Sequence, residues 1–328
     1  MREIIISDRE EGQRMDKFLK KYMDQAPSGF FYKMMRKKNI VLNGKKAAGN
    51  EKLQNGDVLK LFLSDDTIDK FSGKIRIEPI QKRKTKLDVI YEDEHVLFVN
   101  KPVGLLSQKA DSSDISLVEA ITDYLLESGS LTQEDLRTFR PGVCNRLDRN
   151  TSGIVAAGKS IAGLQALSLG FRERTFGKYY RCMVKGEVFE TKYIKGYLTK
   201  NKEKNQVTVT NDPLAEAELI ETKYRPVKGK DGYTLLEVHL ITGKPHQIRA
   251  HLASEGHPLI GDYKYGDKKT NDRFKKEYGL TSQLLHAYRL EFPQMKFPLE
   301  SLSGRKFYAK APELFERIER ELMGRIEE

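Results

Sequence analysis

The strongest constraint on this chain is a break in its apolar patterning. Between Ser64 and Lys86 apolar residues thin out while Lys82, Arg83, Lys84 and Lys86 cluster, as they do in a linker. With 328 residues, the chain is long enough for a unit on either side of that break, each burying a core without metal or disulfide staples. The expected division is residues 1–64, a linker over 65–86, and a larger unit over 87–328.

In the small unit, Met15, Phe18, Leu19, Tyr22 and Met23 recur at helical spacing and predict an amphipathic helix. A second short helix follows Pro27-Ser28, with Phe30, Phe31, Met34 and Met35 turned inward. Ile40-Val41-Leu42 predicts a strand that meets the Asn43-Gly44 turn, and Val58 to Leu63 closes a small ribbon after Asn55-Gly56-Asp57. The large unit reads differently. Ile154 to Ala157, Tyr179 to Val184, Ala217 to Val227 and Tyr233 to Ile241 predict strands. Ile161 to Phe171 and Pro245 to Glu255 predict helices, and Leu314, Ile318, Leu322 and Ile326 mark a closing helix. Strands outnumber helices and many are hairpin-spaced. The expected class is therefore α+β, a mixed and mainly antiparallel sheet flanked by helices, with a small α+β unit in front.

Composition narrows the partners. A net charge of +11 biases the chain toward polyanions, because each neutralised phosphate releases condensed counterions. Cys144 and Cys182 are too few for a disulfide framework or, alone, a four-ligand zinc site. Charge interrupts the first apolar run too early for a signal peptide, and no stretch approaches the ~18 apolar residues of a membrane span. A cytoplasmic protein without membrane contact is expected, and with no exposed apolar stripe, a monomer. The sequence has no GxxxxGK[ST] loop, no GxGxxG after a strand, no HExxH and no GxSxG elbow. His246 and His251 are five residues apart, about 140° out of register on a helix, and make no helical metal pair. ATP, GTP and dinucleotide readings lose their best support, and metal catalysis is not expected.

Between Asp24 and Glu51 there is no acidic residue, while Lys33, Arg36, Lys37, Lys38, Lys45 and Lys46 supply six positive charges. A basic face beside a β-turn suits phosphate contacts that position an RNA without reading its bases. A solvated helix face is the plainer explanation of any one charge run; the missing acids favour RNA. In the large unit, Arg146-Leu147-Asp148-Arg149-Asn150-Thr151-Ser152-Gly153 stands directly before a strand. A carboxylate between two arginines is expected to stay ionised, and Thr151 and Ser152 to fix the loop by local backbone hydrogen bonds. Such a carboxylate suits a nucleophile or base toward an anionic substrate, though on chemistry alone a salt-bridged surface turn is the plainer explanation. Further on, Pro245 is expected at the first helical position and Gly256 at the stop. Arg249, partly covered at that helix start, needs a carboxylate partner or must snorkel to solvent.

Taken in order, these motifs resemble the RNA pseudouridine synthases, in the branch of the large-subunit ribosomal RNA enzymes. The pieces are Tyr91-Glu92-Asp93-Glu94, Asn100-Lys101-Pro102-Val103-Gly104, the Asp148 loop and Lys178-Tyr179-Tyr180. They continue with His246-Gln247-Ile248-Arg249 and His251, Gly256-His257-Pro258 with Gly261-Asp262, and Leu285-His286-Ala287. The small unit is similar to the S4-type RNA-binding domain, in Arg14-Met15-Asp16-Lys17-Phe18-Leu19, the Arg36 to Gly44 stretch, and Leu53 with Gly56-Asp57-Val58. That adds Arg14 and Lys17 to the candidate RNA contacts.

The resemblance implies that Asp148 is the catalytic carboxylate, Tyr180 the aromatic under the target base, and Arg249 the ion-pair partner of Asp148. It implies that Arg146 enters the RNA stack where the base has left, and that Leu285, with Thr151 nearby, walls the pocket. Two positions depart from the family pattern: Asn145 stands where His is general and Lys244 where Arg is frequent. The implied reaction isomerises uridine to pseudouridine in RNA, with large-subunit ribosomal RNA the expected substrate and no cofactor required. The rival readings are a non-catalytic ribosome-associated RNA-binding or assembly factor, and a glycoside-cleaving enzyme whose second carboxylate is not evident.

Overall fold

The computed structural model describes residues 1–72, 87–111, 114–201, 206–213 and 217–324. The basic cluster at Lys82 to Lys86 and the helix position Ile326 lie outside the described residues.

The first unit contains β1 (Arg2–Ile5), α1 (Met15–Tyr22), α2 (Ser28–Arg36), β2 (Ile40–Leu42), β3 (Lys45–Lys46), β4 (Val58–Leu61) and α3 (Asp65–Phe71). Its sheet runs β1-β4-β2-β3, all antiparallel. The expected stripe is buried: Met15, Phe18, Leu19 and Met23 are shielded from solvent with Phe31, Met35, Ile40, Leu59 and Leu61. Two elements were not expected. β1 is only four residues long and exists by pairing with β4, a tertiary event that local patterning does not announce. α3 occupies the start of the expected linker. Ser64 caps it by accepting from the Thr67 N–H, and buried Ile68 joins the first core. The first unit therefore reaches past residue 64.

The second unit contains β5 (Val89–Glu92), β6 (Val96–Lys101), α4 (Leu117–Glu127), α5 (Asp135–Thr138), β7 (Gly142–Val143), β8 (Ser152–Gly158) and α6 (Ile161–Arg172). It continues with β9 (Gly177–Lys185), β10 (Lys192–Asn201), β11 (Gln206–Thr210), β12 (Glu218–Lys230), β13 (Tyr233–Leu240) and α7 (Gln247–Ser254). α8 (Lys268–Tyr278), β14 (Leu285–Glu291), β15 (Lys306–Tyr308) and α9 (Glu313–Met323) complete it. The sheet runs β11-β10-β12-β13-β9-β14-β8-β6-β5, with β7 beside β8 and β15 beside β14. Among the described residues β14 and β8 form its single parallel pair. This is the mixed, mainly antiparallel α+β sheet expected from the sequence.

Both faces of the sheet are covered, and the period-two alternation of strands decides which residue serves which core. Along β6, Leu97 and Val99 join one core, while Val96 and Phe98 join the other with Phe292 and Phe307. Along β9, Tyr180, Cys182 and Val184 face the first core and Met183 faces a third, with Phe274 and Phe315. The first core also takes Leu147, Ile248 and Leu285, so strand parity turns Tyr180 to the same side as the Asp148 loop and α7.

The two units touch through the segment before α1. Arg9 forms an ion pair with Asp135, Thr138 Oγ1 donates to Glu10 Oε1 at 2.7 Å, and Ile161 N–H donates to the Arg9 carbonyl at 3.1 Å. No helix among the described residues is long and apolar enough to cross a membrane.

Candidate active site

The loop carrying Asp148 lies between β7 and β8 and is held from several directions. Ser107 Oγ donates to the Leu147 carbonyl at 2.8 Å and accepts from its N–H at 3.0 Å. Lys101 Nζ, fully buried, donates to three carbonyls: Pro102 at 3.0 Å, Leu105 at 2.8 Å and Arg149 at 3.1 Å. Burial pushes the Lys101 ammonium down to about 8, against the raising influence of Asp148. The far end of the loop is fixed by packing. Gly153 has φ +119°, and a Cβ there would lie 2.2 Å from the Ala287 carbonyl oxygen, so a glycine is required where β8 meets β14.

Among the described residues the Thr151 and Ser152 hydroxyls make no local backbone bond, although the Thr151 N–H donates to the Asp148 carbonyl at 3.1 Å. Thr151 Oγ1 accepts from Gln283 Nε2 at 3.2 Å, and Ser152 Oγ pairs with His286 Nδ1 at 2.9 Å. Both hydroxyls are buried against β14 and the segment leading into it, which outcompetes the loop's own backbone. At the near end, Asn145 bridges β8: its Nδ2 donates to the Ile154 carbonyl at 3.1 Å and its Oδ1 accepts from the Ala156 N–H at 2.8 Å. One amide supplies both a donor and an acceptor here.

The charge partner of Asp148 is not a sequence neighbour. Arg149 is exposed and turns toward Asp114 at 4.0 Å, and Arg146 is exposed at the mouth of the cavity. The guanidinium comes from α7: Arg249 Nη1 donates to Asp148 Oδ2 at 3.0 Å. The same Arg249 donates through Nε and Nη2 to the two oxygens of Asp262 at 2.7 and 2.8 Å. Burial alone would weaken this cation, but the Asp262 bonds and charge, with Asp148 behind them, hold it firmly protonated. Asp262 is itself kept ionised: burial opposes its charge, and Arg249 and two backbone N–H groups outweigh it.

α7 starts two residues later than expected. Pro245 lies outside the helix, and His246 caps it in the left-handed region at φ +55°, a conformation incompatible with a helix running through it. Gly256, at φ +82°, ends it as expected.

A cavity of about 850 Å³ opens over this arrangement. Asp148, Tyr180, Arg249, Arg146, Leu285 and Thr151 all line it, so six residues scattered over 140 positions of sequence meet around one hollow. Tyr180 is buried, and desolvation, with the Asp148 charge added, pushes its phenol well up, leaving it neutral. Cations crowd the rim at Arg172, Arg174, Lys178, Lys200 and Lys244. Burial, then Arg174, pushes the Lys178 ammonium down to about 8. Lys244 is paired with Glu218.

Sequence reasoning assigned no role to Asp262, His246, Tyr265 or Lys101. Each stands in or beside a quoted motif, but nothing in those motifs shows that the Gly261-Asp262 turn folds back onto α7. The candidate RNA contacts of the first unit do not reach the cavity. Lys17, Lys33, Arg36, Lys37, Lys38 and Lys45 are exposed and make no ion pair among the described residues. Arg14 instead pairs with Asp16 at 2.8 Å.

Residues 95–254 match the model of a family described as RNA pseudouridylate synthase. A ribosomal large subunit pseudouridine synthase C of Vibrio vulnificus is 30% identical over 294 residues, covering 88% of each chain. An uncharacterized RNA pseudouridine synthase of Mycoplasma genitalium is 31% identical over 327 residues, covering 96% of this chain and 97% of that one. The chain belongs to the RNA pseudouridine synthase family. It is an isomerase that converts uridine to pseudouridine in RNA. The solved human RNA pseudouridylate synthase domain containing 4 shares the synthase's fold, with a TM-score of 0.57 over 71% of this chain and 92% of that chain, at 19% identity.

Proposed function

We propose that this synthase modifies uridines of large-subunit ribosomal RNA, with Asp148 as its catalytic carboxylate. The relatives named for the ribosomal large subunit support the substrate. What carries the assignment of Asp148 is the 3.0 Å bond from Arg249, which leaves the carboxylate partly exposed in a cavity also lined by Tyr180.

Isomerisation breaks the N1–C1′ bond, turns the base and joins C5 to C1′; a proton leaves C5 and one is gained at N1. Arg249 takes Oδ2 of Asp148, and Oδ1 serves the ribose of an extruded uridine in the cavity that Asp148 lines. Neutral Tyr180 supplies a ring face for the base, and Leu285 and the buried Thr151 close the wall. Arg146, exposed at the mouth, fills the gap left in the RNA stack. The basic rim and the exposed cations of an S4-type first unit hold phosphates.

The experiment is conversion of uridine in protein-free large-subunit RNA by purified protein, with Asp148→Asn beside the wild type. Product from the wild type and none from the variant, at similar RNA affinity, is expected. Equal product from both overturns the assignment. Pseudouridine mapping of RNA from a deletion strain then names the position, and an unchanged map overturns the ribosomal substrate.

A further inference from the structure

His246 is the N-cap of α7, and its left-handed φ of +55° is one that side-chain-bearing residues seldom adopt. Its ring is held at Nδ1. Tyr265 Oη accepts from the Val207 N–H at 2.9 Å, so its own hydrogen is free to donate to His246 Nδ1, 2.8 Å away. The Tyr265 ring meets the imidazole edge to face at 5.6 Å and lies 5.2 Å from the Arg249 guanidinium. Tyr265 is fixed in turn by its N–H, which donates to Asp262 Oδ1 at 3.2 Å.

If Nδ1 accepts, the proton of a neutral imidazole must sit on Nε2. That nitrogen stands 3.9 Å from Asp148 Oδ2, too far for a hydrogen bond, on a residue lining the cavity. Asp148, Arg249, Asp262 and Lys264 surround the ring; burial, with Arg249 and Lys264, keeps it neutral against the opposing pull of the two carboxylates.

We propose that His246 is a hydrogen-bond donor reserved for the uracil ring, locked as its Nε2–H tautomer by Tyr265. When the N1–C1′ bond breaks, its electron pair passes into the ring and onto the carbonyl oxygens. A donor preset in the cavity stabilises that charge more than it stabilises the resting base, and so lowers the barrier. Each Arg249 nitrogen is already bonded to a carboxylate, and Gln247 is spent on Thr242, Lys244, Glu221 and Thr222. Among the described residues the His246 Nε2–H, which stands beside Asp148 and lines the cavity, has no acceptor. The proposal rests on the reading of Asp148 as the catalytic carboxylate.

The test uses the full chain and an RNA transcript, measuring single-turnover rate and RNA affinity for His246→Ala, His246→Asn, His246→Gln, Tyr265→Phe and Asp148→Asn. His246→Ala should slow the reaction by about 10²-fold with RNA affinity held, as loss of one such donor does. His246→Asn tolerates the left-handed backbone but does not reach the Nε2 position, and should resemble Ala. His246→Gln, whose amide nitrogen falls near Nε2, should recover most of the rate. Independently, ¹⁵N spectra of histidine-labelled protein should show an Nε2–H signal that is lost in His246→Gln and becomes a tautomer mixture in Tyr265→Phe. A His246→Ala rate within twofold of wild type, or an Nδ1–H signal, overturns the donor while Asp148→Asn stays inactive. An active Asp148→Asn overturns the site and the donor together.

Discussion

The cleft and the first unit's basic surface carry the same kinds of charge under opposite arrangements. Around Asp148, Arg249 and Asp262 each charge is met at 2.7 to 3.0 Å and the partners are themselves tied down. On the first unit, Lys33, Arg36, Lys37, Lys38 and Lys45 stand in solvent without ion pairs among the described residues. Preorganised charge does chemistry, because nothing has to reorient when bonds change. Solvated charge gives adaptable, salt-sensitive adhesion. The two regions should therefore fail in different ways when they are altered.

Asp148→Asn has the largest expected effect, a fall in turnover of about 10⁴-fold with folding and RNA affinity retained, measured by single-turnover conversion. Asp262→Ala comes next. It leaves the Arg249 guanidinium half uncompensated in a buried place, and thermal or denaturant unfolding should show a loss of about 3–5 kcal/mol. A loss under 1 kcal/mol would mean that the cleft is no more preorganised than the surface. Replacing Lys33, Arg36 and Lys37 by Gln should leave stability within about 0.5 kcal/mol and the single-turnover rate on saturating RNA unchanged. Affinity should fall, and the slope of log affinity against log salt should flatten by roughly 0.7–0.9 per lost phosphate contact. An unchanged slope would reduce that surface to plain solvated helix.

The smallest effect concerns pH. As pH rises through about 8, Lys101 loses a hydrogen and can no longer serve three carbonyls, so turnover should decline. Because the folded-state value lies below the ordinary 10.5, the unfolded chain holds that proton more tightly between the two. This group's contribution to stability therefore rises from about pH 8 toward 10.5. Stability and activity moving together across that window, in wild type relative to Lys101→Met, would sink the assignment.

Much of this was legible in the chain. The Met15 to Met23 stripe and the Ile40 to Gly44 strand and turn carry local periodicity, and both appear where expected. β10 was readable too: Ile194 and Leu198 are buried on one side, a period-two signal that the expected strands omitted. β1 and α3 were not readable, because each is short and owes its existence to a distant partner. In the site, burial physics required a carboxylate for Arg249. It could not show that Asp262, thirteen residues on, would take two of its nitrogens while Asp148, a hundred residues back, took the third. Charge pairing was misread at Arg149 for the same reason: adjacency in sequence is not proximity of side chains.

The two ends of the Asp148 loop have unequal freedom to vary. At Gly153 the backbones of β8 and β14 leave no room for even one carbon atom, so that end admits no drift without parting the strands. At Asn145 the anchorage is a side-chain amide, replaceable by any group that can satisfy one carbonyl and one N–H. Mutational change in this loop has a ratchet's asymmetry: it can enter from the upstream end, while the downstream end stays put.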